Sequence, residues 1–188
     1  MKHYRITHRT KYTYSGLVQL GPHALRLRPS EGYDVRIESS TLTILPYAFL
    51  RWYRDVEGNS VAIADFKTLS DQLLIESVLL VEQYDQQPHN SLVEDYVVNF
   101  PFTYSFMEVA KQLGFASRFV SGYSYTTISS QDAGSTHAWA EVFLPGAGWK
   151  GFDPTRGDIP GENYIPVAVG RMPHLVPPIS GSFHGNAF

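Results

Sequence analysis

His137 and Asp153 are the residues of this chain whose types and spacing could do proton chemistry. His137 opens the run His137-Ala138-Trp139-Ala140-Glu141-Val142-Phe143-Leu144, and Asp153 closes Trp149-Lys150-Gly151-Phe152-Asp153. Both runs read as strands, and Pro145-Gly146-Ala147-Gly148 between them reads as a turn, so the two residues fall near the same end of a hairpin. A carboxylate bonded to one imidazole nitrogen fixes the tautomer and leaves the other nitrogen free as a base. That is the supporting pair of a nucleophilic triad. Loop length decides whether the two share a face. A four-residue loop sets Asp153 opposite Ala140, on the other face from His137. A three-residue loop, or a bulge at Gly151, sets it opposite Trp139 and diagonal to His137, roughly 7–8 Å between Cα atoms. The spacing alone leaves both registers open, and it equally fits an incidental polar pair on adjacent strands.

A triad also needs a nucleophile. The chain has no cysteine, which excludes disulfides, thiolate metal sites and a thiol nucleophile. Ser105 is the substitute candidate, because a serine at a helix start can be activated by a base. Its plainer reading is an N-cap, since Glu108 stands three residues on at capping-box spacing. Ser135 and Thr136 read as strand or loop hydroxyls. Trp139 falls on the face of His137, where it serves either as core or as a residue lining a cleft. His8 reads as a strand-face residue, His23 and His89 as loop residues beside prolines, and His174 and His184 as tail residues. No His-x-x-x-His or acidic cluster has metal-ligand spacing, so neither a metal nor a cofactor is expected.

The elements that would position these groups are mostly strands. Tyr4, Ile6, His8, Thr10, Tyr12 and Tyr14 alternate with Arg5, Arg9 and Lys11, the period-two signature of a half-buried antiparallel strand. Residues 18–28, 33–45, 48–54, 60–66 and 73–82 continue the strand pattern, with a hairpin turn at Gly58-Asn59. Together they predict an antiparallel sandwich. The polar stretch 85–90 reads as a linker. Beyond it, Ser105 to Leu113 reads as a short helix ending at Gly114, and the proline-rich tail after Asp158 reads as extended and loop-rich.

The chain has 188 residues, 43% hydrophobic and 18% charged, with a net charge of −3. That balance is globular, and the length is enough to bury a core. No run of basic residues marks a nucleic-acid footprint. No apolar stretch approaches the ~18 residues of a membrane span. No secretory h-region opens the sequence, so the cytoplasm is the expected compartment.

Three blocks carry a family likeness: Ala116-Ser117-Arg118-Phe119-Val120-Ser121-Gly122-Tyr123, Thr136-His137-Ala138-Trp139-Ala140-Glu141-Val142-Phe143, and Gly148-Trp149-Lys150-Gly151-Phe152-Asp153-Pro154-Thr155. In this order they resemble the bacterial transglutaminase-like superfamily. The Tyr4-to-Tyr14 strand and Gly21-Pro22-His23-Ala24-Leu25-Arg26-Leu27-Arg28-Pro29 resemble the β-rich region beside the core of its bacterial members. The resemblance implies an α+β fold: an N-terminal antiparallel β-sandwich over 1–88, then a truncated papain-like core over 89–188. It implies that His137 and Asp153 are the catalytic His and Asp of a Cys–His–Asp triad, which hydrolyses or transfers amide acyl groups of peptide or protein substrates without a cofactor.

The chain departs from that pattern at the nucleophile. The family's cysteine stands at the start of a buried helix, whose N-terminus favours a thiolate and a developing oxyanion. Here only the second half of that helix is recognisable, Ser105 to Leu113, which implies an internal loss joining Tyr104 to Ser105. The expectation is a protein inactive in thiol chemistry; the alternatives are a peptide-binding or structural module and a hydrolase using Ser105. Half a buried helix removed would strand apolar surface. At roughly 25 cal/mol per Å², even about 200 Å² costs ~5 kcal/mol, comparable with a domain's net stability. A repacked core, a homodimer or low stability is therefore expected.

Overall fold

In the computed structural model the described residues are 1–32, 34–84, 114–125, 135–144 and 147–185. The chain divides into two compact units: Met1–Tyr84 with Pro177–Phe188, and Asp85–Val176.

The first unit is built from period-two sequence. The strands are β1 (Lys2–Leu20), β2 (His23–Arg28), β3 (Val35–Leu45), β4 (Ala48–Arg54), β5 (Ser60–Phe66) and β6 (Leu69–Gln83). In β6 the residues Leu73, Ile75, Ser77, Leu79, Val81 and Gln83 are buried while their neighbours are half-exposed, the alternation of a sheet with one face packed. Two short strands near the end of the chain, β11 (Ile179–Ser180) and β12 (Phe183–His184), complete two antiparallel sheets of order β12-β1-β6-β3 and β11-β2-β5-β4. Side chains from both sheets form one core: Val18, Leu20 and Leu73 from one, Leu25, Leu27, Ala62 and Phe66 from the other. Each such side chain, fully buried, is worth about 1.5–3 kcal/mol if large. The β4–β5 turn is tied by Asp55, whose Oδ1 accepts the Glu57 and Asn59 backbone N–H groups at 3.0 Å each, and by Gly58 at φ 83°.

Among its described residues the second unit presents one antiparallel sheet of order β10-β7-β8-β9. Its strands are β7 (Ser117–Ser124), β8 (Ser135–Leu144), β9 (Gly148–Phe152) and β10 (Tyr164–Gly170). A single 3-10 turn, Pro173–Leu175, follows β10.

Two expectations are corrected. The α+β class with a truncated papain-like core does not hold: among the described residues the structure is nearly all antiparallel sheet, and the 3-10 turn is the one helical element. The helical reading rested on the family likeness and on one window, Ser105 to Leu113, which lies outside the described residues. The tail is also more ordered than its prolines suggested. It contains β10, and its last strands pair with the first unit rather than with the 89–188 domain to which the sequence assigned them: Gln19 and Leu20 of β1 face His184 and Phe183, and Ala24 and Leu25 of β2 face Ser180 and Ile179.

Candidate active site

The β8–β9 ladder decides the register that the sequence left open. Ala140 pairs with Phe152, Val142 with Lys150 and Leu144 with Gly148, so three residues lie between the last paired positions. This register continues to set Asp153 opposite Trp139, on the His137 face. At that point Asp153 leaves the ladder and forms an isolated bridge with Asp158. The turn that follows is held by Asp153 itself. Its carbonyl accepts the Gly157 N–H at 2.8 Å, and its Oδ1 accepts the backbone N–H groups of Thr155 at 3.0 Å and Arg156 at 3.3 Å.

The other carboxylate oxygen meets the imidazole. His137 Nε2 lies 2.5 Å from Asp153 Oδ2, with side-chain exposures of 15% and 0%. Tyr164, at the start of β10, donates its hydroxyl to the same Oδ2 at 2.8 Å. Burial works to raise the pKa of Asp153. The bonds from Tyr164 and His137, the charge of His137 and the Arg156 N–H outweigh it, and the carboxyl is held below its ordinary value. The carboxylate therefore stays an acceptor and favours a proton on Nε2; in the neutral form of the ring that tautomer leaves Nδ1 with the lone pair that could act as a base.

Aromatic packing fixes the ring. Trp139 stacks against His137 with centroids 6.4 Å apart, and Tyr164 meets Trp139 edge-on at 5.3 Å. Trp139, Val120 and Tyr164 form the buried cluster of this sheet, and Trp139 is only 4% exposed. Trp139 thus supports the imidazole from within the core. Gly122 lies opposite His137 on β7. A Cβ there would come within 2.2 Å of the Ile165 carbonyl oxygen and 2.8 Å of the Trp139 ring. Glycine is what lets these strands and the indole come so close.

The structure brings together His137, Asp153 and Trp139 of the residues singled out by sequence. Ser105 and His89 lie outside the described residues. Thr136 is exposed, one position off the His137 face. His8 bonds Thr10 Oγ1 at 3.0 Å, and burial lowers its pKa. His174 and His184 are exposed. His23 is not a loop residue; it opens β2, is buried, and its Nδ1 is bonded to the Gly21 carbonyl at 2.8 Å. Sequence spacing also could not show that strand pairing gathers His3, Glu38 and Glu82, whose potential ligand atoms lie within 4.8 Å of one another. Glu82 there already accepts the Tyr84 hydroxyl at 2.9 Å and lies 3.6 Å from Arg36. The functional group that sequence reasoning missed is Tyr164, with Arg156 and Asp158 around it. The available signal was the short apolar run Tyr164-Ile165-Pro166-Val167-Ala168-Val169, masked by its proline.

Residues 4–82 match the family model described as the bacterial transglutaminase-like N-terminal region, and residues 81–154 match the model of the transglutaminase-like superfamily. The second match includes both His137 and Asp153. Together the two matches span residues 4–154, and both are to transglutaminase-like models. This transglutaminase-like chain is 32% identical over 88 residues to an uncharacterized protein of Mycobacterium leprae (strain TN), a match covering 45% of this chain and 31% of that protein. It therefore spans about a third of the curated relative's length. The crystal structure of a candidate cysteine protease from Cytophaga hutchinsonii superposes with a TM-score of 0.64 at 13% identity, over 100% of this chain and 89% of that one; that likeness is one of fold. Unlike a thiol enzyme, this transglutaminase-like chain contains no cysteine. Among the described residues, no helix is long and apolar enough to cross a membrane.

Proposed function

We propose that this chain keeps the base-orienting half of a transglutaminase-like site and engages amide-bearing peptide or protein segments without forming a thioester. The observation that carries this reading is the His137 Nε2 to Asp153 Oδ2 bond of 2.5 Å in a chain with no thiol. An oriented base supplies only part of the rate of acyl transfer, about 10²–10⁴-fold for general acid–base catalysis. In triad hydrolases, removing the nucleophile costs on the order of a millionfold in kcat. The surviving couple has a use without turnover: a neutral imidazole offers a lone pair to the N–H of a bound amide.

The test is an assay of peptide-amide hydrolysis and of amine incorporation into a glutamine-bearing peptide, run beside labelling with a serine-reactive phosphonate. The expected outcome is no turnover above the buffer rate and no labelled residue. Turnover that disappears in His137→Ala would sink the proposal, and a phosphonate adduct on Ser105 would replace it with a serine mechanism.

A further inference from the structure

The hydroxyl of Tyr164 is 2.8 Å from Asp153 Oδ2 and 2.8 Å from Asp158 Oδ1. A phenol has one proton, and two carboxylates face it. Its oxygen also lies 3.5 Å from Arg156 Nη1, while Arg156 Nη2 is anchored on Ser124 Oγ at 2.9 Å. The guanidinium can only donate, so it takes a lone pair of the phenol and turns the phenol's proton toward the carboxylates. Burial, then the bonds to Asp153 and Asp158, push the Tyr164 pKa up, so the proton stays on this oxygen throughout the ordinary pH range.

We infer that Tyr164 is a positioning residue whose single proton sets how strongly Asp153 holds His137, and that Asp158 tunes this by competing for the same proton. When the phenol donates to Asp153, Oδ2 accepts two bonds and shares its electron density between Tyr164 and the imidazole N–H. When it donates to Asp158, Oδ2 keeps the imidazole as its one hydrogen-bond donor, with Arg156 Nε 4.0 Å away, and pulls harder on the imidazole proton. The contact of His137 with Tyr164, centroids 6.0 Å apart, places all three groups in one cluster. The inference rests on reading His137 and Asp153 as the base couple. Its own content concerns residues that couple does not include.

The experiment is proton NMR of the His137 Nε2 proton in the full chain near neutral pH. A strongly hydrogen-bonded imidazole N–H resonates far downfield, further as its acceptor improves. In Tyr164→Phe the resonance moves downfield, because Oδ2 has lost its second donor. In Asp158→Asn it moves upfield, because the phenol proton is then committed to Asp153. The double variant matches Tyr164→Phe alone, since Asp158 acts only through the phenol. A merely structural role would not give opposite signs. Single variants that move the resonance the same way, or leave it unmoved, overturn the inference. So does an Asp158→Asn effect that persists in the Phe background. If Tyr164→Phe does not fold, the Asp158→Asn shift decides alone, because Asp158 is exposed: upfield supports, unchanged or downfield overturns. A wild-type chain with no downfield Nε2 proton refutes the couple itself, which separates failure of the functional reading from failure of this one.

Discussion

Asp153 is the residue on which the site turns, because four donors converge on a side chain with no exposed surface: His137, Tyr164 and the N–H groups of Thr155 and Arg156. Its carboxyl is held below the ordinary value, and that shift is also a statement about stability. A carboxyl whose folded pKa is depressed contributes stability that is fully present above its unfolded value, near ~3.9, and lost as pH falls through the lower folded value. Asp153→Asn should therefore be less stable than wild type at neutral pH, by about 1.5–3 kcal/mol for bonds to a charged group. The gap should close as pH drops below about 4. Urea unfolding across that range checks both the size and the direction. Gly122→Ala is expected to cost about 3 kcal/mol, because the new Cβ meets the Ile165 carbonyl at 2.2 Å and a backbone atom cannot step aside; a thermal melt equal to wild type would contradict the packing. At this scale His137 and Asp153 were legible in the sequence, since their neighbouring residues carry the family's blocks. Tyr164 was not, because its role exists only once β10 lies beside β7.

At the scale of elements, what the sequence showed well was alternation. β2 and the buried stretch of β6 follow directly from period-two burial, and the β8–β9 hairpin offered two registers of which the shorter loop is the one adopted. The failures have physical causes. β10 carries Pro166, which argues against a central strand; it is tolerated because β10 lies at the edge of its sheet, and the ladder shifts between Pro166 and Ala168. The tail strands β11 and β12 are two residues each, too short for any periodicity. Their closure depends on close approach: the Arg26 N–H donates to the Pro178 carbonyl at 2.8 Å, the Gly21 N–H to the Ser182 carbonyl at 2.9 Å, and a Cβ on Gly181 would fall 2.3 Å from the His23 ring. That ring is buried and bonded to Gly21, so it cannot yield. Gly181→Val should lift the tail and speed hydrogen exchange at the Gly21 and Arg26 amides, leaving the amides of the β1–β6 ladder protected. Unchanged exchange at those two positions would show that the tail is held by something else.

For the molecule as a whole, the match to the transglutaminase-like N-terminal region falls in the first compact unit, and most of the match to the transglutaminase-like core falls in the second. The first unit buries its own core between two sheets; the second carries the imidazole on an antiparallel sheet, supported by indole, phenol and carboxylate. The α+β class was inferred from the family likeness and one short amphipathic window, and it was wrong for the described residues. The absence of a thiol was plain from composition alone, because a count of zero cysteines requires no structure. The account stands or falls on whether this protein can form an acyl-enzyme. Intact-mass spectrometry after mixing with an activated acyl donor measures that directly. The account predicts the unmodified chain mass at every time point; a stable acyl adduct that forms in wild type and fails to form in His137→Ala would contradict it.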